Sequence, residues 1–279
     1  ISQGYSDMPL SLLILIATLQ GLTEFLPVSS SGHLVLIPII TDFDYQGRLI
    51  DVAAHVGTLI AVTLYLRSEI IAIIIALFRL GRSDPANARL GQVLALATIP
   101  VVIAGYFVNY ADWHWLDMVQ TLAIANFGFA IILWLSDTLP IKKRGLDSVT
   151  WLPALLIGLA QICALIPGAS RSGVTISAAR FLGYDRITAA RLSLLLSLPT
   201  IAGAGLLKSI DLVRSGDAAL GTDAAIVVAL SAGLAWLAIS WMMRWLEKAS
   251  FNIFVYYRIA LGTFLLLGLS QGWLEPLIS

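Results

Sequence analysis

The sequence predicts an all-α integral membrane protein made of two inverted-topology repeats. Each repeat is a re-entrant helical hairpin followed by three transmembrane helices, about ten helices and six full spans in all. Composition is the first observation behind this. Of 279 residues, 58% are hydrophobic and 12% charged, and mean hydropathy is +0.88, whereas a soluble domain carries about 25% charged residues. The second is a set of apolar stretches near the ~20 residues that a spanning helix needs. The third is a polar motif near the start that returns in the second half.

Apolar runs fall near 9–22, 34–40, 50–80, 92–110, 118–136, 151–166, 174–182, 186–207, 224–243 and 252–274. The runs 50–80, 92–110, 118–136, 186–207, 224–243 and 252–274 are the expected spans. The runs 9–22 and 151–166 are too short to cross. Each ends at a proline and small polar residues and is followed by another short apolar piece, as in a re-entrant hairpin. Non-helical backbone at membrane depth is tolerated only inside protein or beside a wet cavity.

The two hairpins match. "PVSSSGHLVLIPIITDFD" (27–44) lies over "GASRSGVTISAARFLGYD" (168–185), so that Ser29 falls on Ser170, Ser30 on Arg171, Ser31 on Ser172 and Gly32 on Gly173. Upstream, Gln20 and Gln161 hold matching places. Repeat one is expected over about 8–140 and repeat two over about 148–279, within a single membrane domain, 8–279. An odd number of spans per half inverts the second half. Residues 1–7 (ISQGYSD) read as a remnant foreign to the natural chain, with Met8 its start and no cleavable signal.

Basic residues gather in three loops: Arg79, Arg82 and Arg89; Lys142, Lys143 and Arg144; Arg244 and Lys248. The loop 111–117 has none, and 208–223 has only Lys208 and Arg214 against three aspartates. The positive-inside rule makes the rich loops cytoplasmic and puts both termini outside. Zero net charge argues against nucleic acid as a partner. The single cysteine, Cys163, excludes an internal disulfide and a Cys-based metal site. Trp113, Trp115 and Trp273 suit the membrane interface, and His114, between two tryptophans, suits a surface loop.

Inverted hairpins meet at their tips near the midplane, where ionisable groups cost at least about 2.5 kcal/mol each. One tip carries Glu24, Ser29, Ser30, Ser31 and His33, the other Ser170, Arg171 and Ser172. Arg171 between serines and glycines suits phosphate, because a guanidinium fork matches phosphate oxygens. A helix starting just after that tip would add anion attraction. Gln20 and Glu24, four apart, face one side of a helix and suit a hard divalent cation, Mg²⁺ or Ca²⁺, bridging to phosphates. Ser30 and His33, three apart, meet the requirement for a nucleophile and its base. Together these groups describe phosphoryl transfer, which is mostly positioning and charge neutralisation.

Plainer readings exist for each residue alone. Ser29 or Ser31 can bond its own helix, His33 can be a satisfied polar group, and Arg171 can pair with Glu24 to tie the hairpins. Five such residues on two related tips favour the joint reading. Asp51 and His55, also four apart, read as a structural ion pair near the interface in preference to a second acid/base or metal pair.

"QGLTEFLPVSSSGH" (20–33) and "PGASRSG" (167–173) resemble the two signatures of the undecaprenyl-pyrophosphate phosphatases, the bacitracin-resistance family, in order and spacing along the whole chain. The resemblance implies an inner-membrane hydrolase that converts the C55 lipid pyrophosphate to its monophosphate and inorganic phosphate, recycling the cell-wall carrier. It implies a periplasmic-facing site, a divalent cation, and bacitracin acting on the lipid substrate. Carried over, Gln20 and Glu24 are the metal pair, Ser30 and His33 the essential serine and histidine, and Arg171 the pyrophosphate arginine. Ser29, Ser31, Ser170, Ser172 and Thr175 line the phosphates. Gln20 stands where many members have Glu, which leaves one carboxylate in that motif. Serine attack with His33 as base, the preferred route, and histidine attack with Ser30 holding the phosphate both fit the spacing.

The rival class is a secondary transporter or flippase for a phosphate anion, which shares the plan but needs no nucleophile. A second lipid-phosphatase superfamily, which uses no metal, needs a further His after its Arg, and "SGVTISAARFLGYD" (172–185) has none. "GAG" (203–205) and "GTFLLLG" (262–268) permit close packing, within the chain or in a homodimer.

Overall fold

The computed structural model describes residues 9–34, 36–37, 48–82, 84–110, 113, 116, 118–140, 144–215 and 221–274. Residues 1–7, His114, Trp115, Lys142 and Lys143, and the side chains of Ser31, Lys208 and Arg214, lie outside that set. The described residues are helical, with no strand among them. The first half runs α1 (Leu10–Thr23), α2 (Ser30–Leu34), α3 (Arg48–Tyr65), α4 (Arg67–Phe78), α5 (Pro85–Tyr110) and α6 (Val119–Thr138). The second runs α7 (Trp151–Gln161), continued by a 3-10 turn (Ile162–Leu165), then α8 (Arg171–Phe181), α9 (Arg186–Ser215), α10 (Thr222–Leu246) and α11 (Asn252–Ser270).

Among the described residues, five helices are long and apolar enough to cross a membrane: Pro85–Val108, Val119–Thr138, Arg186–Leu206, Thr222–Leu246 and Asn252–Ser270. The sixth expected span, 50–80, is not one helix. It breaks at Leu66 into α3 and α4, which meet at 78°. The cause is written in "YLRSEI": Arg67 and Glu69 interrupt the apolar run, and α3 alone, at about 1.5 Å per residue, already approaches the ~30 Å of hydrocarbon. The short runs behave as expected, since α1 and α7 are apolar helices too short to span.

Several of the main packing pairs recur when the halves are exchanged. Helix α1 rests on α10 while its counterpart α7 rests on α5, α3 packs on α10 while α9 packs on α5, and α6 packs on α11. The contacts are close because small residues sit in them. A Cβ at Gly57 would stand 2.5 Å from the Val228 carbonyl oxygen of α10, and one at Gly158 would stand 2.3 Å from the Ala97 oxygen of α5. Lipid gives helices no hydrophobic reason to associate, so such backbone approach supplies the attraction. Gly262 is likewise spent within the chain, beside Ala123 and Phe127, whereas a Cβ added at Gly203 or Gly205 would meet nothing within 4 Å.

Helix α8 is polar for this setting, and the fold answers by enclosing it. Ser172, Thr175, Ser177 and Arg180 are all buried among α6, α7 and α9. Its far end is anchored on Asp137 of α6. One carboxylate oxygen accepts from Arg186 Nε at 2.7 Å and lies 3.3 Å from Arg180 Nε. The other accepts the Phe251 N–H at 3.0 Å, at the start of α11. Removing one partner of a buried ion pair leaves an uncompensated charge, so Asp137→Ala is expected to cost about 3–5 kcal/mol. Arg144→Ala, which loses one exposed bond to the Leu182 carbonyl, should cost far less. Denaturation midpoints in detergent compare them, and equal losses would deny the anchor its role.

Candidate active site

The two tips are built alike. After α1 the chain turns through Glu24–Val28 and reaches Ser29 at φ 72°; after α7 it turns through Ile166–Ala169 and reaches Ser170 at φ 69°. Both are serines in the left-handed region, which is strained for a residue with a Cβ, and each immediately precedes a helix, α2 or α8. Ser170 Oγ accepts the Gly173 N–H at 3.2 Å, closing the N-terminus of α8. Gly168, at φ 89°, passes so near α6 that a Cβ would fall 2.2 Å from the Leu122 carbonyl oxygen.

The tips meet at Glu24. Its Oε1 accepts from Arg171 Nη2 at 2.7 Å. Its Oε2 accepts from the Ser30 hydroxyl at 2.7 Å and from Gln20 Nε2 at 2.9 Å. Phe25 lies under the guanidinium, 5.8 Å from ring centre to Cζ. The Ser172 hydroxyl donates across the tips to the Leu26 carbonyl at 2.8 Å and stands 3.1 Å from Ser170 Oγ. So Arg171 does pair with Glu24, and the pair does tie the hairpins. Two atoms beside the pair are buried without a hydrogen-bond partner: Arg171 Nη1 and Gln20 Oε1.

The serine and histidine expected to act together are held by different groups. The Ser30 proton is directed to Glu24. His33 Nδ1 lies 2.7 Å from the Ser29 carbonyl oxygen; a carbonyl only accepts, so Nδ1 carries the proton and Nε2 presents its lone pair. The Tyr257 hydroxyl hydrogen-bonds Nε2, with the two rings stacked at 5.6 Å. Thr175 is turned inward, 2.9 Å from the Arg171 carbonyl oxygen and 2.8 Å from Ser193 Oγ. His55 Nδ1 is bonded to the carbonyl oxygen of Asp51 at 2.7 Å, and its ring lies within electrostatic reach of Glu24.

Gln20 and Glu24 do sit together, as a metal pair requires. The unpartnered Gln20 oxygen beside a carboxylate is an acceptor set that fits a hard cation. Among the described residues no group of three or more His, Cys, Asp or Glu surrounds it, so water and substrate oxygens would fill the remaining positions.

Sequence reasoning missed Tyr257, Arg258 and Asn126. Arg258 is fully enclosed and donates to main-chain carbonyls of both tips. Its Nη2 reaches Gly168 at 2.9 Å and Ala169 at 3.0 Å, and its Nη1 reaches Pro27 at 3.4 Å. Its Nε reaches Asn126 of α6 at 3.2 Å, and the Asn126 amide returns a bond to the Arg258 carbonyl at 3.1 Å. The available signal was an arginine inside the apolar run "FVYYRIAL" (254–261), because an ionisable residue within a span is a site candidate by default.

A family model described as bacitracin resistance protein BacA matches residues 13–264. The undecaprenyl-diphosphatase of Roseobacter denitrificans is 45% identical over 264 residues, covering 93% of this chain and 98% of that protein. That of Dinoroseobacter shibae is 45% identical over 265 residues with the same coverage. That of Thioalkalivibrio sulfidiphilus is 42% identical over 262 residues, again covering 93% and 98%. With the tip geometry and both signatures in place, and a family match over nearly the whole chain, this protein belongs to the bacitracin resistance protein BacA family.

Proposed function

We propose that the protein hydrolyses undecaprenyl pyrophosphate to undecaprenyl phosphate and inorganic phosphate, at the junction of the two tips. One observation carries the reading. An unpartnered buried donor, Arg171 Nη1, and an unpartnered buried acceptor, Gln20 Oε1, flank a carboxylate that already receives a serine proton. The donor suits a phosphate oxygen, and the acceptor suits a cation.

The terminal phosphoryl group is held by Arg171 and the first-turn N–H groups of α8. Ser30 Oγ attacks its phosphorus and the bond to the bridging oxygen breaks. Lipid monophosphate leaves, and the Ser30 proton passes to Glu24 Oε2. Water then attacks the phosphorus of the serine phosphate and the bond to Ser30 Oγ breaks. Glu24 Oε2 returns its proton to the departing serine oxygen, which regenerates the carboxylate, and the proton lost by water leaves with inorganic phosphate. His33 shapes the strained Ser29 through its Nδ1 bond. Its Nε2 is engaged by Tyr257, which favours the serine route over histidine attack. Glu24 and Gln20 Oε1 are the groups that would hold a divalent cation, which would supply neutralisation of the charge developing on the phosphate. The basic loops support an orientation in the inner membrane with Arg79, Arg82, Arg144, Arg244 and Lys248 cytoplasmic, and with the tips reached from the periplasmic side.

Phosphate release from a long-chain isoprenyl pyrophosphate by purified protein in detergent tests this directly. Arg171→Ala and Glu24→Gln should each lower kcat/KM by about 10²–10³, and EDTA should abolish release until Mg²⁺ or Ca²⁺ is restored. Full activity in chelator would remove the cation from the mechanism. Rapid quench with terminally labelled substrate distinguishes the nucleophiles. The serine route gives protein-bound phosphate that survives acid and is absent in Ser30→Ala. An acid-labile phosphoprotein that persists in Ser30→Ala and vanishes in His33→Ala would overturn it.

A further inference from the structure

Arg258 is the fully buried cation of the site that has no counter-ion among the described residues. Its four acceptors are neutral main-chain carbonyls, and the negative charge of Glu24 is already matched by Arg171 at 2.7 Å. Neutral donors could tie carbonyls together. An unmatched guanidinium at this depth is costly, and its position shows what would offset the cost. A Cβ at Gly173 would come 2.7 Å from Arg258 Nη1, so the guanidinium lies directly behind the first turn of α8, between the two tips.

The bonds also have a direction. In a trans peptide the N–H points opposite the preceding carbonyl. By holding the Ala169 carbonyl, Arg258 fixes the Ser170 N–H pointing away from itself, at the residue just before the first-turn N–H groups of Arg171 and Ser172, which have no acceptor within their own helix. The Pro27 carbonyl, held by the same guanidinium, lies two residues before Ser29.

We propose that Arg258 is a positioning residue for the pyrophosphate: it supplies the site's uncompensated positive charge and holds the backbone of both tips for the anion. This rests on the pyrophosphatase reading above. It differs from the role of Arg171, which touches the substrate and is neutralised by Glu24 until substrate binds.

Arg258→Gln and Arg258→Lys test it, in detergent, by phosphate release from an isoprenyl pyrophosphate and by the rise in melting temperature on adding inorganic pyrophosphate. Arg258→Gln is expected to raise KM about tenfold or more and to lose the pyrophosphate-induced rise. Arg258→Lys, with the charge but fewer donors, should recover KM and the rise while kcat stays reduced. A folded Arg258→Gln with wild-type KM and protection would overturn the proposal, as would a folded Arg258→Lys no better than Arg258→Gln. If neither variant folds, Arg258 serves folding alone and the proposal fails. Wild type that neither releases phosphate nor gains protection would overturn the pyrophosphatase reading itself, whereas insensitive variants beside an active wild type overturn only this inference.

Discussion

The ion pair between Glu24 and Arg171 is the constraint from which the rest of the site follows. Largely buried as both side chains are, neither charge is tolerable alone, because it would be held away from water with nothing to offset its desolvation. Brought together at 2.7 Å, they make the two halves of the chain depend on one another, since Glu24 belongs to the first hairpin and Arg171 to the second. The neighbouring contacts serve that meeting. Phe25 supports the guanidinium, Ser172 bonds the Leu26 carbonyl, and Arg258 reaches Pro27 on one side and Gly168 and Ala169 on the other.

A symmetric scaffold carries an asymmetric chemistry. Ser29 and Ser170 share a left-handed φ, and several packing pairs recur between the halves. Such backbone strain, about 1–3 kcal/mol per residue, persists where side chains hold it: His33 bonds the Ser29 carbonyl, and Ser170 Oγ caps Gly173. The side chains at matching positions differ in kind. Glu24 faces Leu165 across the repeat, Ser30 faces Arg171, and His33 faces Val174. One tip is therefore the acid, hydroxyl and imidazole donor, and the other is the cation donor. Gln161, matching Gln20, is buried with both amide atoms unpartnered, having no carboxylate one turn later.

Local signals in the sequence were enough to read the hairpins, the repeat and the residues at the tips, because short apolar runs, polar interruptions and a matched motif are all written within a few residues of one another. What could not be read is what depends on separation in the chain. Spacing placed His33 beside Ser30, yet the structure gives Ser30 to Glu24 and His33 to Tyr257, a residue from the last helix. Arg258 acts through carbonyls, which leave no trace in side-chain pattern. The break at Leu66 was missed for another reason: average hydropathy over 50–80 hides Arg67 and Glu69 in mid-run, and the chain responds to where those charges lie.

The resting site also states what substrate must do. Arg171 cannot offer its full charge to a phosphate while Glu24 holds Nη2, so binding is an exchange in which phosphate oxygens share or replace the carboxylate. An exchange of that kind leaves Glu24 with its own charge less satisfied and adds the negative charge of the pyrophosphate to a region where, among the described residues, Arg258 is the cation without a counter-ion. One guanidinium does not balance both. The proposal of a divalent cation follows from this accounting as much as from the motif, with the Glu24 carboxylate and the unpartnered Gln20 oxygen as the groups that would hold it. Ser30 is favoured as nucleophile because it already donates to Glu24 Oε2, so its proton has a carboxylate acceptor in place before the exchange begins.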